Sequence, residues 1–262
     1  YDFEGSGLSI LLDILSYNTH YMAYLANMST NELYLDSADI RNNIVSLAKM
    51  LGYTPNSPRA PKASINVVVN DGTGTSITMA KGTVFTTTLN DTTYQYIINE
   101  DITTTPVDGV FTFSNVTLYE GTLVKFKYTV DETDVDQKFI IPNANADTST
   151  LKVSLQTSAS DTTTEVYSLA NSYSGLTDVS KSYFIQESDD ERYEVYFGDG
   201  ILGKKPVDGN IVILEYVVTN KTEANSASSF TLSGDIDGFS DVTNTTTTNA
   251  ANGSEPQTKE SI

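Results

Sequence analysis

The spacing of the apolar residues changes near residue 60, and this change limits the possible folds more than any other feature of the sequence. Before it, apolar side chains recur every three or four residues, which predicts helices. After it they alternate with polar neighbours, as at Ile65, Val67 and Val69, which predicts strands. The alternating runs continue to about residue 233. We therefore expect an α+β fold, with an N-terminal helical pair followed by a mainly antiparallel β region of one or two lobes.

The first predicted helix lies between Leu8 and Met28 and is apolar over much of its circumference. One face carries apolar residues at positions 8, 11, 12, 15, 22 and 25, and Ile10, Ile14 and tyrosines at 17, 21 and 24 widen it. A surface this broad requires neighbours on more than one side. His20 lies in the same stretch, where a surface or interface position is favoured over a catalytic one because no nucleophile is marked beside it.

The second predicted helix covers residues 37–51 and has signals at both ends. Asp36 is a candidate N-cap, with Leu35 and Ile40 at the spacing of a hydrophobic staple. Gly52 suits the position after the last turn, and prolines at 55 and 58 prevent the helix from continuing. The buried stripe of this helix is expected to be Ile40, Ile44, Leu47 and Leu51.

Turn signals divide the β region into strands. Residues 110–130 predict an antiparallel meander with a turn at 119–121, and residues 183–218 predict a closing group of strands. The polar stretches 143–150 and 158–164 predict loops, with a lobe boundary near the second.

The C-terminal part changes character again. A Thr- and Asn-rich stretch up to Asn252 predicts a linker, and Ser254 to Gln257 predict the capping-box start of a helix. Because the chain opens at Tyr1 and stops inside that helix, we expect a piece of a longer protein. The expected segments are a helical segment for assembly at 1–58, a β-rich lobe at 59–160, a second β-rich part at 161–240, and a linker with the start of a further domain at 241–262.

Composition excludes several classes of function. With 0 Cys the chain has no disulfide, thiolate metal site or cysteine nucleophile. A formal charge of -19, from 34 acidic and 15 basic residues, repels phosphate backbones and anionic membrane surfaces. No apolar run approaches the roughly 20 residues that cross a bilayer. We therefore expect neither nucleic-acid nor membrane binding.

Residues that could support chemistry do not form a convincing site. The acidic group Asp235, Asp237 and Asp241 could hold calcium, but it lacks the terminal bidentate Glu of an EF-hand loop, so solvated turns are favoured. The adjacent acids at 189–191 carry no further signal. Gly198-Asp199-Gly200 is followed by a strand and by no helix, so a tight turn is favoured over a phosphate-binding loop. We therefore predict no catalytic residue, cofactor or metal, and no enzyme activity.

One motif indicates a family. The run from Tyr193 to Pro206 contains Phe197-Gly198-Asp199-Gly200 and is followed by Asp208-Gly209-Asn210. This combination of a strand, an F-G-D-G turn and a D-G-N start of the next strand resembles the signature of the baseplate J-like family. The residues expected to form this structural turn motif are Gly198, Asp199, Gly200, Gly203, Pro206, Asp208 and Gly209.

Both ends carry a second resemblance. Residues 2–6, 11–19 and 31–38 resemble the beginning of the baseplate wedge protein of T-even-like contractile-tailed phages, of the gene-product-six type. Residues 253–256 resemble the point where proteins of this type turn into their C-terminal domain.

The resemblance implies a structural role in the virion. Such proteins dimerise, join other wedge subunits through their helices, and help to transmit the change that triggers sheath contraction; sheath-initiating and hub-proximal baseplate proteins are further expected partners. The implied location is the tail baseplate, assembled in the host cytoplasm. The candidate interface residues are Leu8, Leu11, Leu12, Leu15, Tyr21, Met22, Ile40, Ile44 and Leu47.

An alternative from another class is a carbohydrate-binding or adhesin-like β domain of a phage or bacterial surface. The Thr-, Asn- and Asp-rich strands and turns suggest it. It predicts calcium-dependent stability or glycan binding, and it leaves the two leading helices unexplained.

Overall fold

The computed structural model describes residues 7–134, 137–188 and 191–262 and divides the chain into two compact units. One unit comprises residues 1–55 and 258–262, and the other residues 56–257. The motif at residues 2–6 and the acids Asp189 and Asp190 lie outside the described residues.

The helical pair is confirmed. Helix α1 spans Gly7–Asn31 and helix α2 spans Arg41–Met50. Neither helix combines the length and hydropathy that a bilayer-crossing segment requires, in the part of the chain that the structure describes.

Helix α2 begins four residues later than the sequence predicts, and Asp36 does not cap it. Its N-cap residue is Ile40, which has no side chain that could accept a hydrogen bond. Glu32 takes that role instead, because its carboxylate accepts from the backbone N–H of Asp39 at 3.0 Å and of Ile40 at 3.3 Å, and from Asn43 Nδ2 at 2.8 Å. These bonds, the one from Asn43 first, lower the pKa of Glu32.

The described part of the β unit contains fifteen strands. They are β1 Lys62–Val69, β2 Ile77–Met79, β3 Val84–Leu89, β4 Thr92–Ile97, β5 Ile102–Thr104, β6 Phe111–Glu120, β7 Thr122–Thr129, β8 Phe139–Ile140, β9 Ala146–Gln156, β10 Thr164–Leu169, β11 Ser182–Glu187, β12 Tyr193–Phe197, β13 Ile211–Val218, β14 Thr231–Leu232 and β15 Val242–Ala251.

The strands form two large sheets, and one lobe is inserted into the other. The first sheet has the order β14-β3-β4-β6-β1-β15, and the second has the order β7-β13-β9-β10-β11-β12-β8. A small sheet pairs β2 with β5. All strands of the second sheet lie between residues 122 and 218, whereas the first sheet uses strands on both sides of that stretch. Strands β10 and β11 pair in parallel, and the other pairs are antiparallel, as predicted for most of the region.

The chain therefore passes between the lobes at residues 120–122 and 218–220, and not near residue 160. The turn at 119–121 is present, but β6 and β7 belong to different sheets and are not neighbours in a meander. Residues 146–150, predicted as a loop, begin strand β9. These differences share one cause. The strands pair with partners that are distant in the sequence, and such pairing leaves no local pattern from which it could be predicted.

The stretch predicted as a linker is strand β15. It pairs antiparallel with β1, for example Thr243 opposite Val68 and Thr245 opposite Asn66. Ser254, predicted to cap a helix, instead forms a β-bridge with Arg59, and the next helical element is a 3-10 turn at Lys259–Ser261. Threonine suits a sheet because its branched Cβ packs well on a pleated surface, even where the side chain is polar.

Each lobe has its own apolar core. The first contains alternate residues of β1 and β6 with Phe85 and Tyr96, and Tyr96 stacks edge-on against Phe230 at 4.9 Å between ring centroids. The second contains residues of β9, β12 and β13 with Tyr167 and Tyr193. A third, small cluster of Ala60, Ile97 and Val217 belongs to both lobes.

Polar contacts fix the point where the chain crosses between the lobes. The carboxylate of Glu120 is fully buried and accepts from Thr219 Oγ1 at 2.6 Å, Asn220 N at 2.9 Å and Asn220 Nδ2 at 2.7 Å. The fully buried Asp147 of the second lobe accepts from Ala60 N at 2.9 Å. Carboxylates are buried only when hydrogen bonds satisfy them, so these contacts hold both lobes together.

Candidate functional site

Helix α1 presents an apolar surface, and none of its residues is buried. The predicted interface residues of this helix are exposed by between 49% and 66%: Leu8, Leu11, Leu12, Leu15, Tyr21 and Met22. Further apolar side chains on the helix are exposed as well, among them Ile10, Ile14 and Tyr17. An exposed apolar patch of this extent marks an interaction surface more often than a solvated face.

Several polar residues of α1 form one narrow stripe, whereas Asn18, Thr19, Ser29 and Thr30 lie within the mainly apolar arc. At 100° per residue, Ser9, Asp13, Ser16, His20 and Asn27 fall within about 60° of the circumference, and the large apolar side chains occupy an arc of about 240°. Asp13 is the one acidic residue of this helix, which contains no lysine or arginine. One neighbouring helix covers an apolar stripe of roughly 100°, so this arc is wide enough for at least two neighbours.

The predicted interface residues near α2 are placed differently. Ile40 is exposed, Leu47 is half-buried and Ile44 is buried. Ile44 packs with Val45 and Ala48 on the buried side of α2, whereas Leu51 of the predicted stripe is exposed. The exposed apolar surface therefore lies mainly on α1.

The F-G-D-G motif forms a tight turn after β12. Asp199 Oδ1 accepts from the backbone N–H groups of Ile201 and Leu202, each at 2.9 Å, and Gly200 N donates to Gly203 O at 3.1 Å. These two bonds, the one from Leu202 first, lower the pKa of Asp199. A Cβ on Gly198 would lie 2.3 Å from the carbonyl oxygen of Leu202, so only glycine fits there.

The later motif residues form a second turn that leads into β13. Asn210 Oδ1 accepts from Val207 N at 2.9 Å, and Gly209 N donates to Val130 O at 3.0 Å. Asp208 Oδ1 accepts from Glu132 N at 3.3 Å. The motif from Gly198 to Gly209 thus forms two successive turns at one end of the second lobe, and Pro206 lies between them.

A neighbouring turn, at residues 177–180, was not predicted from the sequence. Thr177 N donates to Ser180 Oγ at 3.0 Å, and Ser180 N donates to Thr177 O at 3.1 Å. Two residues of the F-G-D-G turn then hydrogen-bond to it, because Gly203 N donates to Thr177 O at 3.0 Å and Lys204 N donates to Ser180 O at 2.8 Å. The Thr-Asp-Val-Ser sequence is a turn signal, but nothing in it indicates which turn it contacts.

The acids considered for calcium accept hydrogen bonds from the chain itself, one within its own loop and two from distant residues. Asp235 Oδ1 accepts from Gly238 N, Asp237 Oδ2 from Thr78 N and Asp241 Oδ1 from Asn70 Nδ2. Among the described residues, no group of three or more His, Cys, Asp or Glu side chains is arranged to hold a metal ion.

We predict that ionised Asp199 stabilises the F-G-D-G turn. Because the pKa of Asp199 is lowered in the folded state, its contribution is complete above the ordinary value of 3.8 and is lost as the pH falls through the lowered value. Asp199→Asn should therefore have a lower Tm than the wild type at pH 7, and the gap should narrow as the pH falls below 3.8 and on through the lowered pKa. Calorimetric melts at these pH values measure the gap, and a gap that is unchanged at pH 3 would contradict the prediction.

Two comparisons with known proteins find similarity to baseplate wedge proteins. Residues 1–53 match the family described as the helical domain of gp6-like baseplate wedge proteins. Over 249 residues the chain is 28% identical to the baseplate wedge protein gp6 of Enterobacteria phage T4, an alignment that covers 88% of this chain and 36% of that protein. The chain thus spans little more than a third of the length of this relative.

The family match agrees with the sequence motifs at the N-terminal end of the chain. The family match covers α1 and α2, and the longer alignment extends through most of the β unit. The resemblance to wedge proteins of the gene-product-six type is therefore confirmed, and the chain is similar to the gp6-like baseplate wedge proteins.

Proposed function

We propose that this chain is a structural component of a phage tail baseplate, a wedge subunit that assembles with its neighbours through helix α1. The observation that carries the proposal is the exposure of α1, whose apolar arc covers most of its circumference while no residue of the helix is buried. The relative over most of the chain is a baseplate wedge protein, which supports the same role.

The energetics favour association. Burying a Leu, Ile or Met side chain is worth about 1.5–3 kcal/mol relative to leaving it exposed, and α1 exposes many such side chains. Because Asp13 is the one charged residue of α1, little of the chain's formal charge of -19 lies on this surface. A second copy and another wedge subunit can then share the helix, one on each side of the apolar arc.

The β unit supports a role in transmitting movement. Its two lobes are joined by two chain crossings, by the buried carboxylates of Glu120 and Asp147, and by an ion pair of 2.9 Å between Lys81 and Glu215. A body held together in this way moves as a whole when its neighbours move. We infer that it helps to transmit the change that triggers sheath contraction, within a tail baseplate assembled in the host cytoplasm.

The alternative, a carbohydrate-binding or adhesin-like β domain, gains no support from the acids at 235–241. Their oxygens accept hydrogen bonds from the chain itself. It also gives no reason for an exposed apolar helix.

We expect Leu11→Asp with Leu15→Asp to abolish the association that α1 mediates, because two carboxylates in a buried apolar interface would be unpaired. The full chain, alone and mixed with purified wedge subunits of the same phage, would be studied by sedimentation and native mass spectrometry. The matched control is Asp13→Asn on the polar stripe, which should leave association intact. Wild-type chain that stays monomeric and binds none of these subunits would contradict the proposal.

A further inference from the structure

In the second lobe two turns, residues 177–181 and 198–204, are bonded to each other, and we name the pair the double turn. The backbone bonds from Gly203 N to Thr177 O and from Lys204 N to Ser180 O join its halves. Both turns also end in a lysine that forms an ion pair with the same carboxylate. Lys181 Nζ lies 3.2 Å and Lys204 Nζ 2.5 Å from the carboxylate of Glu165. Each half is closed by its own side-chain-to-backbone bonds, at Asp199 and at Ser180. The double turn is therefore ordered before it meets any partner.

The most exposed residues of the double turn are apolar, although the turn geometry does not require apolar residues there. Ile201 is 74% exposed and Val179 is 71% exposed, and Leu202 beside them is exposed too. Tight turns depend on residues such as Gly, Asp and Ser at their special positions, and polar residues would suit these tips equally well. A preorganised loop that exposes branched apolar side chains loses little entropy when they are buried, which is a property of docking loops.

The charges around the tips limit what could cover them. Asp178 and Asp199 lie beside Val179 and Ile201 and are exposed, and their carboxylates make no ion pair among the described contacts. The two nearby lysines, Lys181 and Lys204, already face Glu165. The exposed apolar residues of the double turn thus have negative side chains close to them in the sequence. A second copy is a poor occupant here because its surface, with 34 acidic and 15 basic residues in the chain, would mostly set further negative charge against Asp178 and Asp199.

We propose that the double turn inserts Ile201 and Val179 into an apolar cleft bordered by lysine or arginine side chains on another baseplate wedge subunit. This inference rests on the proposed function and adds a second contact, separate from α1. Apolar anchors at the centre with opposite charges at the margin are the arrangement that gives an interface both affinity and orientation.

The absence of cysteine from the chain makes a site-specific test possible. Ile201→Cys in the full chain would be labelled with a photoreactive maleimide and mixed separately with each purified wedge subunit of the same phage and with unlabelled chain. Val107→Cys is the matched control, since Val107 is 73% exposed at a turn of the first lobe. Leu15→Cys reports on α1 in the same mixtures.

We expect the label at position 201 to cross-link one wedge subunit at least about fivefold more than the label at 107, at a peptide that contains basic and apolar residues. Ile201→Asp with Val179→Asp should weaken binding of that subunit about tenfold, and Val107→Asp should leave it unchanged. Equal cross-linking at 107 and 201, cross-linking only to a second copy, or unchanged binding by the Asp variants would each overturn the inference. If the label at 15 cross-links while that at 201 does not, the docking contact fails and the proposed function stands. If neither cross-links, both fail.

Discussion

Gly121→Ala is expected to lower the free energy of unfolding by about 3–5 kcal/mol, one of the largest effects of any single substitution in the β unit. Gly121 lies where the chain passes from the first lobe to the second, and its φ of 119° is a conformation that other residues rarely adopt. An added Cβ would also lie 2.1 Å from the carbonyl oxygen of Val218, where the chain returns. Since this atom belongs to the backbone, neither strand can yield without moving a lobe.

Gly234→Ala separates the two causes. Gly234 has a φ of 122°, close to that of Gly121, but an added Cβ there would meet nothing within 4 Å. We expect this control to show the cost of the backbone conformation alone, about 1–3 kcal/mol. Urea denaturation of both variants measures the difference. Equal losses for Gly121→Ala and Gly234→Ala would mean that the collision at the crossing is relieved without cost.

Glu120→Ala is expected to cost about 3–5 kcal/mol, for a different reason. The substitution would leave the buried hydroxyl of Thr219 and two part-buried donors of Asn220 without an acceptor, at the point where the chain returns to the first lobe. Glu120→Gln retains one acceptor oxygen and should cost less, about 1–2 kcal/mol. Denaturant curves of the two variants give these values, and a Gln variant as unstable as the Ala variant would indicate that the charge, not the number of bonds, matters.

A double-mutant cycle tests whether Glu120 acts through Thr219. Thr219→Val removes the hydroxyl that donates to Glu120 Oε2 at 2.6 Å and keeps the side-chain shape. The costs of the Glu120→Ala and Thr219→Val substitutions should not add, with a coupling of about 0.5–3 kcal/mol. Additive costs would mean that this bond does not contribute to the joining of the lobes.

The local elements of this fold follow from local sequence, and their ends follow less well. The apolar spacing before residue 60 and the alternation after it predict the helical pair and most strands. The start of α2 was misplaced because the nearest capping signal, Asp36, is not the residue that caps it. Glu32, eight residues before Ile40, accepts the hydrogen bond from the backbone N–H of Ile40. This contact depends on the path of the chain between the two residues.

Residues 242–251 form strand β15 although their low hydropathy predicts a linker. A strand is held by main-chain hydrogen bonds, which any residue except proline can make, so a Thr- and Asn-rich segment pairs when a partner edge is available. That edge belongs to β1, about 180 residues earlier in the chain. The same distance effect hides the insertion of the second lobe and the role of Glu120, which looks like an ordinary strand-end acid in the sequence.

By itself the sequence determined the element types, the glycines and aspartates of the F-G-D-G turn, and the broad apolar surface of α1, because each depends on residues within a few positions of one another. Only the tertiary structure decided that this surface stays exposed, that the F-G-D-G turn bonds to the turn at 177–180, and that Glu120 joins the lobes where the chain crosses between them. Those properties depend on which distant segments meet, and burial and hydrogen-bond partners exist only once the chain has folded.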